Sequence, residues 1–539
     1  VYAQHNVRII GDNDLNSGTY TWVKDTIYML NGFVYLESGG RLNIEAGTVI
    51  KAIEVPSTTD LASTLIITRG AQINAVGTAD EPIIFTTELD DTNDQIDLFP
   101  EDRGLWGGLI ILGRGIFIKD GQAEQTIEGL PIEDPRSLYG GNNNADNSGR
   151  LSYVSIRHGG AELGPGDEIN GLTLGGVGSG TQIDHIEVYS NSDDGIEFFG
   201  GAVNVSYAVV SFCGDDAFDW DLGYVGRGQY WFAMVGEDNG DNTAEMDGAD
   251  PAASRPSSNP IVTNATYIGS GRDAFAKNEH ALLFRDGSRG TYLNSIFTQG
   301  TNFALQVEDR QSGVDSYQYY QAGELRLAHN IFGNFGRRLL QGTSEATSFI
   351  SDQLLKDGNV QTDPQLRAVS RRADGRLDPR PRTGSPAYAQ TTLADTPDDD
   401  FFVTAPFKGA FCEEGVWIQK WTALAQNRIL AADIPFSNCL LSDAVHDEFT
   451  ELQGVILAQN TPNPVNAHTT LAFFLPTAAT VTLEIFTSDA KKVTTLHDNK
   501  RMIAGDHEIT YNTAPLPAGV YYYTLSVDDT QLTRMFIKK

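Results

Sequence analysis

Apolar residues in the body of the chain come in short runs that alternate with polar ones and stop at turn formers. Phe33-Val34-Tyr35-Leu36 ends at Ser38-Gly39-Gly40, and Arg41-Leu42-Asn43-Ile44, Thr48-Val49-Ile50-Lys51, Leu65-Ile66-Ile67, Ala71-Gln72-Ile73-Asn74 and Pro82-Ile83-Ile84-Phe85-Thr86 repeat the theme. Runs of this kind, split by Gly, Asn and Asp, predict strands joined by tight turns, with almost no helical period. Ile44, Ile73, Ile156, Ile186, Val209, Ala265 and Ile296 recur as inward-facing candidates, one solenoid coil apart once insertions are discounted. A parallel β-helix needs that recurrence, because one coil cannot bury its own apolar side and relies on its neighbours. About fourteen coils at a strand spacing of roughly 4.8 Å would make a column about 65 Å long.

Four stretches interrupt the coils and read as loops: 88–103, 120–150, 238–259 and 371–400. Residues 401–440 are expected to cap the open end of the column, where a sheet edge would otherwise stay unpaired. Residues 441–455 read as a linker. From 456 to 539 the alternation resumes in Leu471-Ala472-Phe473-Phe474-Leu475 and Val481-Thr482-Leu483-Glu484-Ile485-Phe486. About seven short strands there predict a small antiparallel sandwich. The expected fold class is all-β: a right-handed parallel β-helix over 1–440, then an Ig-like β-sandwich over 456–539.

Two resemblances sharpen this. Gln459-Asn460-Thr461-Pro462-Asn463-Pro464, Leu516-Pro517-Ala518-Gly519-Val520-Tyr521-Tyr522-Tyr523 and the final Lys538-Lys539 resemble the C-terminal sorting domain of type IX secretion cargo in Bacteroidetes-like bacteria. Ser488-Asp489-Ala490 departs from that pattern, which has Gly in the hairpin. Tyr28-Met29-Leu30-Asn31-Gly32-Phe33, Trp106-Gly107-Gly108-Leu109-Ile110-Ile111-Leu112-Gly113, Asp194-Gly195-Ile196-Glu197-Phe198-Phe199-Gly200-Gly201 and Gly409-Ala410-Phe411 resemble a family of secreted right-handed β-helix proteins. The resemblances imply export through the outer membrane by the type IX machinery and a solenoid body. They imply no particular chemistry.

Composition narrows the partners. A net charge of −33 over 539 residues argues against nucleic acid, which calls for clustered Lys and Arg. No run of eighteen apolar residues is present, so no membrane-spanning helix is expected. Three cysteines are too few for a disulfide scaffold; Cys412 and Cys439 could pair after export, and Cys213 reads as a buried thiol. Val1-Tyr2-Ala3 looks like the end of a leader, with Gln4 as a possible mature first residue.

The residues most able to carry chemistry are acidic. Asn191-Ser192-Asp193-Asp194-Gly195 is followed by Gly214-Asp215-Asp216-Ala217-Phe218-Asp219-Trp220-Asp221. Asp194 and Asp215 are about one coil apart, so the pairs would stack on one edge. Three readings stay open. Asp and Asn can cap turns by accepting backbone N–H groups. Asp193, Asp194, Asp215, Asp216, Asp219 and Asp221 could supply oxygen ligands to Ca²⁺. Asp194, Asp215 and Asp216 could act as paired acids on a glycosidic bond. The last pattern is similar to polygalacturonase-type β-helix hydrolases, but their Gly-His-Gly is here Gly226-Arg227-Gly228 and their Arg-Ile-Lys is missing. A lyase would instead draw on Arg272, Lys277, His280 and Arg285, which alternation could bring to one outer face. Tyr230-Trp231-Phe232, Tyr317-Gln318-Tyr319-Tyr320 and Tyr521-Tyr522-Tyr523 could stack on sugars. The expectation is an exported structural or adhesive element that could assemble head to tail with itself. The alternative is a polysaccharide-binding or polysaccharide-degrading β-helix.

Overall fold

The computed structural model describes residues 6–94, 97–164, 167–275, 277–439, 449–452, 455–458, 460–475, 478–487, 491–503, 505–527 and 530–539. Gln4, most of the 441–455 linker and the Ser488-Asp489-Ala490 hairpin lie outside them. The chain divides into two compact units, Val1–Leu440 and Leu441–Lys539.

In the first unit the coils stack in parallel, most adding one strand to a smaller sheet and one or two to a larger, giving a 10-stranded and an 18-stranded sheet. The parallel ladders are shown: the body is a β-helix. The longest ladder of the larger sheet stacks twelve strands, from Asn6–Ile10 to Val360–Gln361, a column of about 53 Å at the usual spacing, shorter than the expected fourteen coils because the insertions use up chain. Leu174, Phe198, Trp220, Met246, Phe284 and Leu305 form part of its continuous core. Ile44, Ile73, Ile156, Ile186 and Ala265 also belong to that core. Val209 and Ile296 do not. They lie in register with Glu187, Phe232, Thr266 and Ile331 on the outward side of the larger sheet. The alternation predicts the strand but not its phase, since both sides of this sheet are apolar.

The larger sheet turns a corner in each coil at a residue with left-handed φ: Tyr153, His185, Tyr207, Tyr230, Asn264, Asn294 and His329. Asn tolerates that region readily, whereas aromatic residues do so at a cost. Stacking offsets it here. The Tyr153, His185, Tyr207 and Tyr230 rings follow one another at 4.2, 4.4 and 4.9 Å.

Residues 401–440 do not cap the end of the column. With 365–400 they run back along the outer side of the larger sheet. His329 contacts Thr392 O, Asn294 donates to Ala394 O, Arg227 pairs with Asp399, Asn264 donates to Phe407 O, and Lys420 reaches Asp80. Phe407, Phe411, Trp417, Trp421, Leu424 and Ile434 of this strap bury Tyr189, Val209, Phe232, Met234 and Ile268. Cys412 and Cys439 are joined as a disulfide within it. A helix, Ser344–Lys356, serves the end of the column instead, burying Ala346, Ile350 and Leu354 against the core. That four-residue period is the helical signal the strand reading passed over.

The second unit is a sandwich of two four-stranded antiparallel sheets. Val455, Leu471, Phe473, Val481, Leu483, Tyr523, Leu525 and Phe536 belong to its core. The strand Phe449–Leu452 pairs with Val455–Ala458, so the sandwich takes in part of the stretch assigned to the linker.

Candidate functional site

The smaller sheet presents one outward residue per coil along a straight row. In register these are Tyr35, Ile66, Ile110, Thr173, Glu197, Asp219 and Glu245, then Leu283 and Gln306. The apolar start is covered: Phe117, Ile127, Leu130 and Tyr139 of the 113–140 insertion pack on Tyr35, Ile66, Ile110 and Leu112. Beyond it the row becomes acidic.

The turn before each strand sets the geometry. Asp194 stacks on Asp216, and Asp193 on Asp215, because Ile196 is in register with Phe218. The repeat here is one residue longer than the Asp194-to-Asp215 spacing read from the sequence. Asp194 Oδ1 accepts Asp216 N–H at 2.8 Å, and Asp216 Oδ1 accepts Asn242 N–H at 2.5 Å. Gly195 leaves room for this stack, since a Cβ there would lie 2.2 Å from Val210 Cγ1. Asp194 and Asp216 therefore cap turns. Asp221 does so too, accepting Leu222 N–H.

The capping carboxylates leave an acidic focus. Oxygens of Asp194, Glu197 and Asp219 lie within 4.8 Å of one another, and so do those of Asp193, Asp194 and Asp215. Asn170 donates to Glu197. Asp219 Oδ1 is shut away from solvent and has no hydrogen-bond partner. Burial pushes Asp193, Asp221 and Glu245 up to about 7, with nearby carboxylates adding to the shift of each. Burial first, then surrounding acids, raises Asp194, Glu197, Asp216 and Asp219 well above the carboxylate range. Sequence reasoning missed Glu197, Glu245 and Asp247. The signal was an acid three residues after Asp194 and again three after Asp216, which puts Glu197 and Asp219 on adjacent strands.

The basic residues do not converge on this focus. Arg285 pairs with Glu245 and with Asp247 at 2.8 Å, one step further along the sheet. Lys277 pairs with Asp241. His280 is buried between Asn242 Oδ1 at 2.9 Å and Gln341 Oε1 at 2.7 Å. Arg272 is exposed in the turn after the strand Thr266–Ile268. The aromatic candidates are taken up by packing. Tyr230, Trp231, Phe232, Tyr317, Tyr319, Tyr320, Tyr521 and Tyr523 are buried, and of these clusters Tyr522 alone, at 36%, is an exposed aromatic ring. Cys213 is buried as expected, and burial pushes its thiol up to about 12.

The stacked parallel strands have a counterpart among known families. Residues 14–364 match the pectate-lyase-like β-helix domain. The chain belongs to that family. Residues 461–539 match the secretion system C-terminal sorting domain, which directs this pectate-lyase-like protein to the type IX pathway and out to the cell surface or beyond. No curated protein and no solved structure matches the chain. Among the described residues no helix is long and apolar enough to cross a membrane.

Proposed function

We propose that this exported β-helix protein is a structural or adhesive element of the cell surface whose acidic focus holds Ca²⁺. The observation that carries the reading is the meeting of Asp194, Glu197 and Asp219 around an Asp219 oxygen that is buried without a partner. Several carboxylates in a low-dielectric setting repel one another unless protons or a cation compensate. Hard oxygen donors in a crowded, irregular set suit Ca²⁺ better than the smaller, strictly octahedral Mg²⁺. The donors would be Asp194, Glu197 and Asp219, with Asp193 and Asp215 beside them. Bound there, the ion would supply charge neutralisation.

A lyase-type base finds little support, because Arg285 and Lys277 are committed to carboxylates and His280 to two amides. A second reading, polysaccharide hydrolysis, draws on Asp193, Asp221 and Glu245, which burial lets hold protons near neutral pH.

Terbium luminescence and thermal melts test the main reading. At pH 7.5, Ca²⁺ is expected to raise the melting temperature, and Asp219→Asn to abolish that response. A melt indifferent to Ca²⁺ and EDTA would sink it. Release of reducing ends from acidic glycans, lost in Asp221→Asn and Glu245→Gln, would favour hydrolysis instead.

A further inference from the structure

We infer that one edge of the column, where the larger sheet passes into the smaller, pairs with the same edge of a second copy of this chain. Six successive turns lie on that edge, following Tyr189, Ser211, Met234, Ile268, Thr298 and Gly333. Main-chain bonds stack them. Gly214 N–H donates to Asn191 O, Asp241 N–H to Asp215 O, Asn278 N–H to Gly240 O, Gly271 N–H to Gln299 O and Arg337 N–H to Asn302 O. Five steps at the usual strand spacing make this edge about 24 Å long.

Charge changes sign along it. At one end, Arg272, Arg337 and Arg338 are exposed, and among the described residues none of them makes an ion pair. They stand together: a Cβ on Gly336 would lie 3.1 Å from Arg272 O. Asp273 and Glu279 are the acids in these turns. In a chain with 71 acidic and 38 basic residues, guanidinium groups gathered without partners mark a surface built for an external carboxylate. At the other end the first two turns contain no Lys or Arg and hold Asp193 and Asp215, with Glu168 of the neighbouring hairpin beside them. Between the ends the charges are already matched, Asp238 with Arg103 and Asp241 with Lys277. An edge negative at one end, matched in the middle and positive at the other fits an inverted copy of itself. A two-fold axis through the middle sets Glu168, Asp193 and Asp215 of each chain against the three arginines of the other, and the contact closes as a dimer. At 0.15 M salt the field of a charge reaches only about 8 Å, so the facing turns outweigh the net charge of the two chains.

This surface goes beyond the calcium reading and needs no metal. Sedimentation velocity of the full chain in EDTA tests it, so the two readings fail separately. A dimer with a Kd of about 1 to 100 μM is expected in about 0.15 M NaCl, at least about tenfold weaker in about 0.6 M NaCl. Arg337→Glu/Arg338→Glu and Glu168→Lys/Asp215→Lys should each be monomeric alone, because each edge then carries a single sign. Mixed in equal amounts, the two variants should form a one-to-one dimer, since each supplies the charge the other lacks. Arg337→Gln/Arg338→Gln should weaken the parent dimer about tenfold, and it decides the matter if a reversed variant folds poorly. A parent chain that stays monomeric up to about 0.5 mM, growth beyond a dimer, variants that dimerise as the parent does, or a mixture of two folded variants that stays monomeric would overturn the inference. So would arginine-dependent binding to anionic lipid vesicles by a chain that does not self-associate.

Discussion

The larger and smaller sheets share one core but differ on their outer sides. Outside the larger sheet lie Tyr189, Val209, Phe232, Met234 and Ile268, and the chain's own strap covers them. Outside the smaller sheet, past the 113–140 insertion, lie Glu197, Asp219 and Glu245, and among the described residues no aromatic cluster packs over them. The inward positions are interchangeable apolar residues. The outward ones decide what each face meets: apolar rows recruit a covering segment, and the acidic row gathers carboxylates into one partly buried focus. The smaller sheet shows the switch within a single row, from Ile110 under the insertion to Glu197 beyond it.

Removing the strap breaks the comparison most severely. A chain ending at residue 364 would expose the apolar face of the larger sheet, a patch of the kind that drives association. It is expected to bind hydrophobic dyes and aggregate, while a chain ending at 440 stays soluble. A soluble, monomeric 364-residue form would show that the strap is decoration.

Glu187 offers a finer cut. It is fully buried under the strap, where its two oxygens accept Ala423 N–H at 2.9 and 2.7 Å and one accepts Ser155 Oγ–H at 2.5 Å. It is the one acid in an outward row that runs Ser155, Glu187, Val209, Phe232, Thr266, Ile296, Ile331, and it receives the start of the helix Ala423–Gln426. Glu187→Ala strands those donors and should cost about 3 kcal/mol, with Glu187→Gln costing roughly half. Chemical denaturation of the chain ending at 440 measures both. Equal costs for Ala and Gln would mean that the hydrogen bonds matter little.

How much of this was legible depends on what each signal encodes. Alternation and turn residues specify strands and stacking, so the β-helix and sandwich could be read from Leu42, Ile73 or Leu483 without coordinates. Phase on a sheet apolar on both sides is not encoded locally, which is why the outward Val209 and Ile296 read in the sequence like inward residues. The strap could not be placed from sequence, because Phe411, Trp417 and Trp421 look alike whether they cap an end or line a side. The acidic focus was half visible: Asp194 and Asp219 stand out in the sequence, but Glu197 becomes their neighbour only once the coil spacing is known to the residue.

On the acidic side, Asp219→Asn should raise the melting temperature of cation-free protein at pH 7.5 by a few degrees, roughly the effect of 1 to 2 kcal/mol in a domain of this size. It removes one repelling charge and supplies a donor to a crowded site. The same change should lower the melt when Ca²⁺ is present. A variant destabilised to the same extent in both conditions would mean that Asp219 serves packing alone.

The smallest expected effect is the pH dependence, and its sign separates the buried acids from the buried histidines. Asp193, Asp221 and Glu245 have folded values near 7 against ordinary carboxylate values near 4. Between those limits the folded chain holds more protons than the unfolded one, so their contribution is complete below about pH 4 and is lost as pH rises through 7. Buried His158 and His280 act in the opposite direction, since burial lowers both and each opposes folding as it gains a proton. Asp184, held at about 2 by His185, Arg150 and Ser152 against the opposing pull of burial, matters only in strong acid. A bare profile therefore mixes terms. The difference between the parent chain and Asp221→Asn isolates one acid: without calcium, the variant should gain on the parent from pH 5 to about 7 and level off above it. With calcium the gain should shrink if the ion's field already holds Asp221 ionised. A difference that stays flat with pH would show that water reaches Asp221 freely, and that this edge of the acidic face is solvated rather than poised for a cation.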